Sequence, residues 1–309
     1  VSCDTLVMLS SVRTKDENGV AMMGDDSYVE AQTHLLEVRK FNAKELLNII
    51  KAVAFRETGT IDVNSGGMRV IVDDQHCQQA CAYLPSSMFI QLQHHDQPVS
   101  IRFPIEPLTA SLAILDHPES NLKMHYDGYG SPLRVLVEHD ETVVDSSINT
   151  LSHQPVLEFE YDRDHVQARV IMKASVLKDA FREFDTSSSS VLVVITKSAL
   201  SLQTTGHIGK VTTTIPARSD FIELVECERR VRVSYRLNLL KRMEKALAIS
   251  SKISLRVDNR KILSIQFMVE KCTENVFIEF LCVPDEDQPS DEEDAHDNLT
   301  LTSQHSIKD

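Results

Sequence analysis

The stretch "ASVLKDAFREFD", residues 174–185, predicts a short amphipathic helix. Leu177, Ala180, Phe181 and Phe184 recur at the spacing that buries one stripe against a sheet, and Lys178 and Arg182, four residues apart, share the other side. Next come "SSVLVVIT", a turn "KSA" and "LSLQTTG", which read as two strands around a tight turn. An earlier stretch, "AKELLNIIKAVAF" (43–55), opens the same series. Its core face is Leu46, Ile49, Ile50 and Val53, with Lys44, Asn48 and Lys51 opposite, and it is followed by "TGTIDVN", a turn "SGG" and "MRVIVDD". A shift of 131 residues lays Leu46, Ile50 and Val53 on Leu177, Phe181 and Phe184. One further residue brings Met68 and Val70 onto Leu200 and Leu202. Core face and hairpin agree independently, which indicates an internal duplication.

Each half contains a second helical pattern. "PLTASLAILDH" (107–117) would bury Leu108, Leu112 and Leu115, and "YRLNLLKRMEKAL" (235–247) would bury Leu240, Met243 and Leu247. Strand patterns fill the intervals: "VSIRFPI", "LKMHYD", "PLRVLVEHD" and "TVVDSSI", then "KISLRVD", "ILSIQFMVE" and "VFIEFLCV". The polar, proline-containing "NTLSHQPVLEFEYD" joins the halves. The expected class is α+β, two similar domains, each with two helices packed on one face of antiparallel sheet. The expected bounds are a flexible segment 1–26, a first domain 27–148, a connecting loop 149–161, a second domain 162–283 and a disordered acidic tail 284–309.

Composition narrows the class further. No apolar run approaches a membrane span, and the opening "VSCDTLVMLSSVR" lacks the basic start and long apolar middle of a secretory signal. Cysteines at 3, 77, 81, 227, 272 and 282 read as reduced thiols of a nuclear or cytosolic protein. Cys77 and Cys81 form a lone C-x3-C with no second ligand pair nearby, so no metal is expected there. The net charge is −14, of which −8 falls between Pro284 and Asp309. Against that acidity, three of the four helical patterns set cations away from the core: Lys44 and Lys51, Lys178 and Arg182, and Lys241, Arg242 and Lys245. A solvated helix face explains any one of these, but recurrence across a duplicated unit weakens that explanation. The helix 107–117 breaks the pattern and offers only His117.

Four blocks, "KAVAFRETGT" (51–60), "YDGYGSPLRVLVE" (126–138), "SSKISLRVDNRKILSIQFMVE" (250–270) and "FLCVPDED" (280–287), carry a family resemblance over roughly residues 27–287. The sequence resembles the sliding-clamp family of the proliferating-cell nuclear antigen, and more closely the Rad-one subunits of the nine-one-one DNA-damage checkpoint clamp. That resemblance implies a non-catalytic subunit of a heterotrimeric nuclear ring, closed with a Rad-nine-like and a Hus-one-like subunit. The helices of such a ring face a hole that holds double-stranded DNA, where sequence-independent contacts to phosphates suit sliding. It also implies a clamp loader, repair and checkpoint proteins as partners, and no cofactor.

By position, the resemblance implies a partner pocket made from the loop Val72, Asp73, Asp74, Gln75, His76 and Cys77, from Pro155, Val156 and Leu157 of the connecting loop, and from Val283 and Pro284. It implies subunit contacts through two edge strands. One includes Val143, Val144 and Ile148; the other includes Lys210, Val211 and Thr213.

A metal-dependent 3'-5' exonuclease is the rival reading. Glu158, Glu160, Asp162 and Asp164 alternate in "EFEYDRD", so a strand would align their carboxylates on one face. Two-metal nucleases need such carboxylates, although a metal site draws them from several elements rather than one row. The plainer alternative is a strand leaving the linker with Phe159 and Tyr161 turned to the core. "DGYGS" (127–131) lacks the Lys-Ser/Thr ending of a phosphate loop, and His94, His95 and His207 have no ligand partners at useful spacing.

Overall fold

In chain order the first repeat comprises β1 (Leu36–Phe41), α1 (Ala43–Val53), β2 (Thr58–Asn64), β3 (Gly67–Asp74), β4 (Gln78–Pro85), β5 (Gln91–His94), β6 (Val99–Pro104), α2 (Ile105–Ala113), β7 (Asn121–Tyr126), β8 (Leu133–His139) and β9 (Thr142–Ile148). The second comprises β10 (Val166–Lys173), α3 (Ala174–Arg182), β11 (Ser190–Ile195), β12 (Ala199–Gly206), β13 (Gly209–Pro216), β14 (Ile222–Cys227), β15 (Val231–Arg236), α4 (Leu237–Lys241), α5 (Glu244–Ala248), β16 (Ser250–Asp258), β17 (Leu263–Val269) and β18 (Phe277–Cys282). This computed structural model describes residues 34–94, 98–156, 159–207, 209–270, 272 and 274–285.

The duplication read from two helices and two hairpins extends to whole sheets. The order β5-β1-β7-β8-β9 in the first half recurs as β14-β10-β16-β17-β18, and β6-β2-β3-β4 recurs as β15-β11-β12-β13. One junction joins the halves: β18 pairs antiparallel with β4, with Phe280 opposite Ala80, so a nine-stranded sheet crosses both repeats. Strands β9 and β13 are the counterparts of β18 and β4, and both end their sheets.

Helix α1 forms because its apolar positions make one broad stripe and because Asn42 caps it. The Asn42 side chain accepts a bond from the Glu45 amide at 3.1 Å, from a left-handed backbone (φ 60°) that Asn tolerates. Leu46, Ile49, Ile50 and Val53 are all buried against β3 and β4. A buried ion pair, Lys40 to Glu45 at 2.5 Å, sits beneath the first turn; either residue alone would be an uncompensated buried charge. Helix α3 buries Leu177, Ala180 and Phe181, with Phe184 below its end, against β10 and β16.

Several elements differ from the sequence expectation. The second helix of the first half spans Ile105–Ala113 rather than 107–117, and Leu115 is only half-buried beyond its end. The expected helix 235–247 starts later, because Tyr235 and Arg236 complete β15, and it splits into α4 and α5. At the split the Met243 amide bonds back to the Leu240 carbonyl at 3.0 Å, a tightened turn rather than a full break. The segment 72–79 is no open loop: Val72 to Asp74 lie in β3 and pair with Ala80, Gln79 and Gln78 of β4 around a three-residue turn. The acidic run after the linker forms no strand over its described residues 159–164.

Candidate nucleic-acid-facing helix row and partner face

The helices form a continuous row. Helix α1 packs against α2 on one side and α5 on the other, and α5 packs against α3. Every one of them lies on sheet through its apolar stripe, so the opposite sides share one face of the protein.

The cations expected on that face divide into two groups. Three tie helices or repeats together. Lys44 pairs with Asp116 beyond α2 at 3.2 Å, and Lys178 donates to the Ala248 carbonyl at the end of α5 at 3.1 Å. Arg242 turns inward, donating to Asp74 at 2.6 Å and to the Gln78 amide oxygen at 3.2 Å, with its guanidinium 5.2 Å from the Phe55 ring centre. The others remain toward solvent. Lys51 and Lys245 are exposed, Lys241 is half-buried beside Arg236, and Arg182 is exposed and, among the described residues, pairs with Asp179 (i,i+3) at 2.9 Å. Lys51, Arg182, Lys241 and Lys245 also occupy last helical turns, where the macrodipole favours positive charge by about 0.3–1 kcal/mol. Their recurrence therefore has a local cause in the helix ends themselves. Helix α2 exposes Glu106 in its first turn and no cation.

The partner-pocket residues come together only in part. The Val283 amide donates to the Cys77 carbonyl at 3.2 Å, so the end of β18 lies on the β3–β4 turn. Gln75 and His76 form that turn in left-handed conformations and are exposed. Val72 does not belong with them: it alternates inward with Val70 and is 0% exposed in the core. Pro155 is exposed and Val156 partly so, in a segment without regular structure, while Leu157 lies outside the described residues. Pro284 is half-buried, and the Asp285 amide donates to the Ser234 carbonyl of β15 at 2.8 Å.

The junction β18–β4 is reinforced by a polar cluster that the sequence pattern did not reveal. Glu279 is buried and accepts from Ser264 at 2.8 Å, Arg163 at 3.1 Å and the Tyr83 hydroxyl at 3.3 Å. The Glu279 charge in turn holds Arg163 above the ordinary guanidinium range. Gln78, fully buried, donates to the Leu239 carbonyl of α4 at 2.8 Å. Such contacts join residues far apart in the chain, so no local spacing announces them.

The acidic run offered for metal chemistry is otherwise engaged. Glu160 pairs with Arg260 at 2.9 Å. Asp162 accepts from the amides of Asp164 and His165 and lies 2.8 Å from the His165 ring, which holds its carboxyl below the usual range. Asp164 is exposed, and Glu158 lies outside the described residues. Among the described residues no three His, Cys, Asp or Glu side chains gather as a ligand set.

A family model described as "Repair protein Rad1/Rec1/Rad17" matches residues 35–269. The chain belongs to the Rad1 family. Among the relatives, the Caenorhabditis elegans "Cell cycle checkpoint protein RAD1 homolog mrt-2" is 35% identical over 83% of this chain and 97% of its own. The human "Cell cycle checkpoint protein RAD1" is 31% identical over 81% of this chain and 92% of its own. A more distant Rad1-family relative, "DNA repair exonuclease REC1" of Mycosarcoma maydis, is 25% identical over 49% of this chain and 40% of its own. Among solved structures, the proliferating cellular nuclear antigen of Entamoeba histolytica superposes with a TM-score of 0.70 at 14% identity, covering 82% of this chain and all of the other. The fold is thus that of a sliding clamp.

Proposed function

We propose that this chain is the non-catalytic Rad1-type subunit of a three-membered ring that encircles double-stranded DNA at damage sites and serves checkpoint signalling and repair. The observation that carries the reading is the single internal junction. Hairpin β8–β9 pairs Leu133 with Ile148 as β17–β18 pairs Leu263 with Cys282, and β12–β13 pairs Leu200 with Ile215 as β3–β4 pairs Met68 with Leu84. On that correspondence Val144 of β9 takes the place of Ile278, and Thr213 of β13 takes the place of Ala82. Ile278 faces Ala82 within the chain, so a neighbour's equivalents would face Val144 and Thr213. Both edges repeat one exposure pattern, two exposed residues followed by alternation into a buried Ile148 or Ile215. Unpaired edges of this kind invite strand addition.

The two repeats, with a boundary near 149–161, then correspond to two of six ring domains, and the helix row turns toward the hole. Lys51, Arg182, Lys241 and Lys245 meet phosphates, while Lys44, Lys178 and Arg242 hold the helices in place. Companion subunits of Rad-nine-like and Hus-one-like type, a clamp loader, and a nuclear setting complete the reading. The β3–β4 turn with Val283, Pro284, Pro155 and Val156 is its partner face. No catalytic step is assigned, because Glu160 and Asp162 are bound to an arginine, backbone amides and a histidine rather than turned toward one another.

The test is a mass measurement in solution, first alone and then with candidate clamp subunits. Formation of a one-to-one-to-one species supports the reading. Persistence of a monomer with every companion, at concentrations where the companions pair with each other, contradicts it.

A further inference from the structure

On the face of the second repeat away from the helices lies a cleft of about 820 Å³ whose walls carry Arg163, Arg169, Arg229, Arg230, Arg256 and Lys261. Only two acids, Glu226 and Glu228, line it, in a chain whose net charge is −14. Strand alternation explains its position. Ala168, Val170 and Met172 of β10 are buried under α3, so Arg169 between them points the other way.

Two features indicate that the cleft receives an anion. Arg169 and Arg256 are directly opposite each other on neighbouring strands β10 and β16, a like-charge pairing that destabilises a sheet unless an anion offsets it. Their internal partners are incomplete: Arg169 has Glu226 at 3.8 Å, and Arg256 has Glu279 at 3.6 Å and Gln266 at 3.1 Å. The Nε atoms of both are buried and have no hydrogen-bond partner among the described residues. Five of the six cations are arginines, whose planar fork matches carboxylate or phosphate groups. No Phe, Tyr or Trp lines the cleft, and its one ring, His165, is paired with Asp162 at 2.8 Å, so the lining lacks the row of stacking rings that a single-strand site uses.

We propose that this arginine cleft binds an extended acidic peptide, and that its occupant is the chain's own segment 286–294, "EDQPSDEED". Charge and reach both favour this occupant. The segment carries Glu286, Asp287, Asp291, Glu292, Glu293 and Asp294 and no cation. It starts next to Asp285, which is fixed to Ser234 of β15, and Val231 of the same strand lines the cleft. Three strand residues separate those points by about 10 Å, whereas nine extended residues span up to about 30 Å. Tethering gives such a short segment a high effective concentration at the cleft. The tail thereby neutralises the cleft and is held on the face away from the helix row.

The test uses the full chain and a full-length variant with the tail neutralised (E286Q, D287N, D291N, E292Q, E293Q, D294N). A labelled peptide of the sequence 284–295 is titrated against both and followed by fluorescence anisotropy. The proposal expects at least tenfold tighter binding to the neutralised chain than to the wild type. It also expects at least tenfold loss when R229E and R230E, both at exposed positions, are added to the neutralised chain. Zero-length carbodiimide coupling of the wild-type chain gives a second reading independent of those variants. Mass spectrometry should find Lys261 joined to a carboxylate of Asp291–Asp294, and R229Q/R230Q should reduce that product several-fold. Equal peptide binding in all three chains, or no Lys261–tail product, overturns the proposal. A labelled single-stranded oligonucleotide that outcompetes the peptide would assign the cleft to nucleic acid instead.

Discussion

The Arg242 guanidinium donates to the Asp74 carboxylate at 2.6 Å, joining two residues 168 positions apart across the junction of the repeats. Asp74 also pairs with Arg56, and Arg242 lies over the Phe55 ring, so the end of α4 is clamped to the β3–β4 hairpin. A residue that looks from its helix position like one more phosphate contact is therefore part of the scaffold.

Arg242→Ala should accordingly weaken folding more than DNA retention. Charge-assisted bonds of this kind contribute about 1.5–3 kcal/mol, and the side chain is only 25% exposed. Urea denaturation should register that loss, while Lys245→Ala, on an exposed site, should stay within about 0.5 kcal/mol of wild type. Equal stabilities for the two variants would show that the clamp is dispensable.

The ring edges can be tested by charge. Val144→Glu or Thr213→Glu places a carboxylate where the internal junction has Ile278 or Ala82, both fully buried. Each variant should fold with an unchanged melting curve and lose assembly with companion subunits at least tenfold. A full-strength ring from both variants would move the interface elsewhere.

Thiol chemistry should follow burial. Desolvation pushes the Cys81 and Cys282 thiols from the ordinary 9.0 up to about 12, whereas Cys77 sits half-exposed in the β3–β4 turn. The unfolded chain loses these protons near pH 9 and the folded chain near pH 12. Their contribution to stability is thus complete below about pH 9 and is lost as pH rises toward 12. Iodoacetamide at pH 8 should label Cys77 well before Cys81 or Cys282, as read by peptide mass spectrometry. Urea midpoints should fall between pH 9 and pH 11. Simultaneous labelling of all three cysteines would contradict the burial assigned to them.

Replacing Glu160 and Asp162 by their amides should leave any nucleic-acid turnover by highly purified protein at its background. A metal-dependent nuclease activity that disappears in these variants would restore the exonuclease reading suggested by the alternating carboxylates.

Much of the fold was legible because α1 and α3 each bury one apolar stripe, and because the hairpins follow them at distances that differ by a single residue. Strand β4, "QQACAYLP", escaped notice: Ala80, Cys81 and Ala82 are all buried at the centre of a nine-stranded sheet, so no alternation marks it. Strand β10 does alternate, yet its polar flanks merge with the linker, and nothing local separates it from that segment. Cations were legible as residues off the core face, but not their uses. Lys178 reaching Ala248 and Arg242 reaching Asp74 are tertiary contacts without a sequence period. The arginine cleft was invisible for the same reason, since it assembles Arg163, Arg169, Arg229 and Arg256 from separate segments.

The central claim is that the exposed helix cations hold a closed ring on DNA without reading its sequence. The most direct measurement is residence of the assembled ring on end-blocked duplex as a function of salt, for wild type and for K51E/R182E/K245E. The account predicts shorter residence for the variant, the same on unrelated sequences. It also predicts a slope of log affinity against log salt that is smaller by about 0.9 for each phosphate contact removed. Unchanged residence and an unchanged slope, in a ring proven intact, would mean that these cations serve only solvent and their own helix ends.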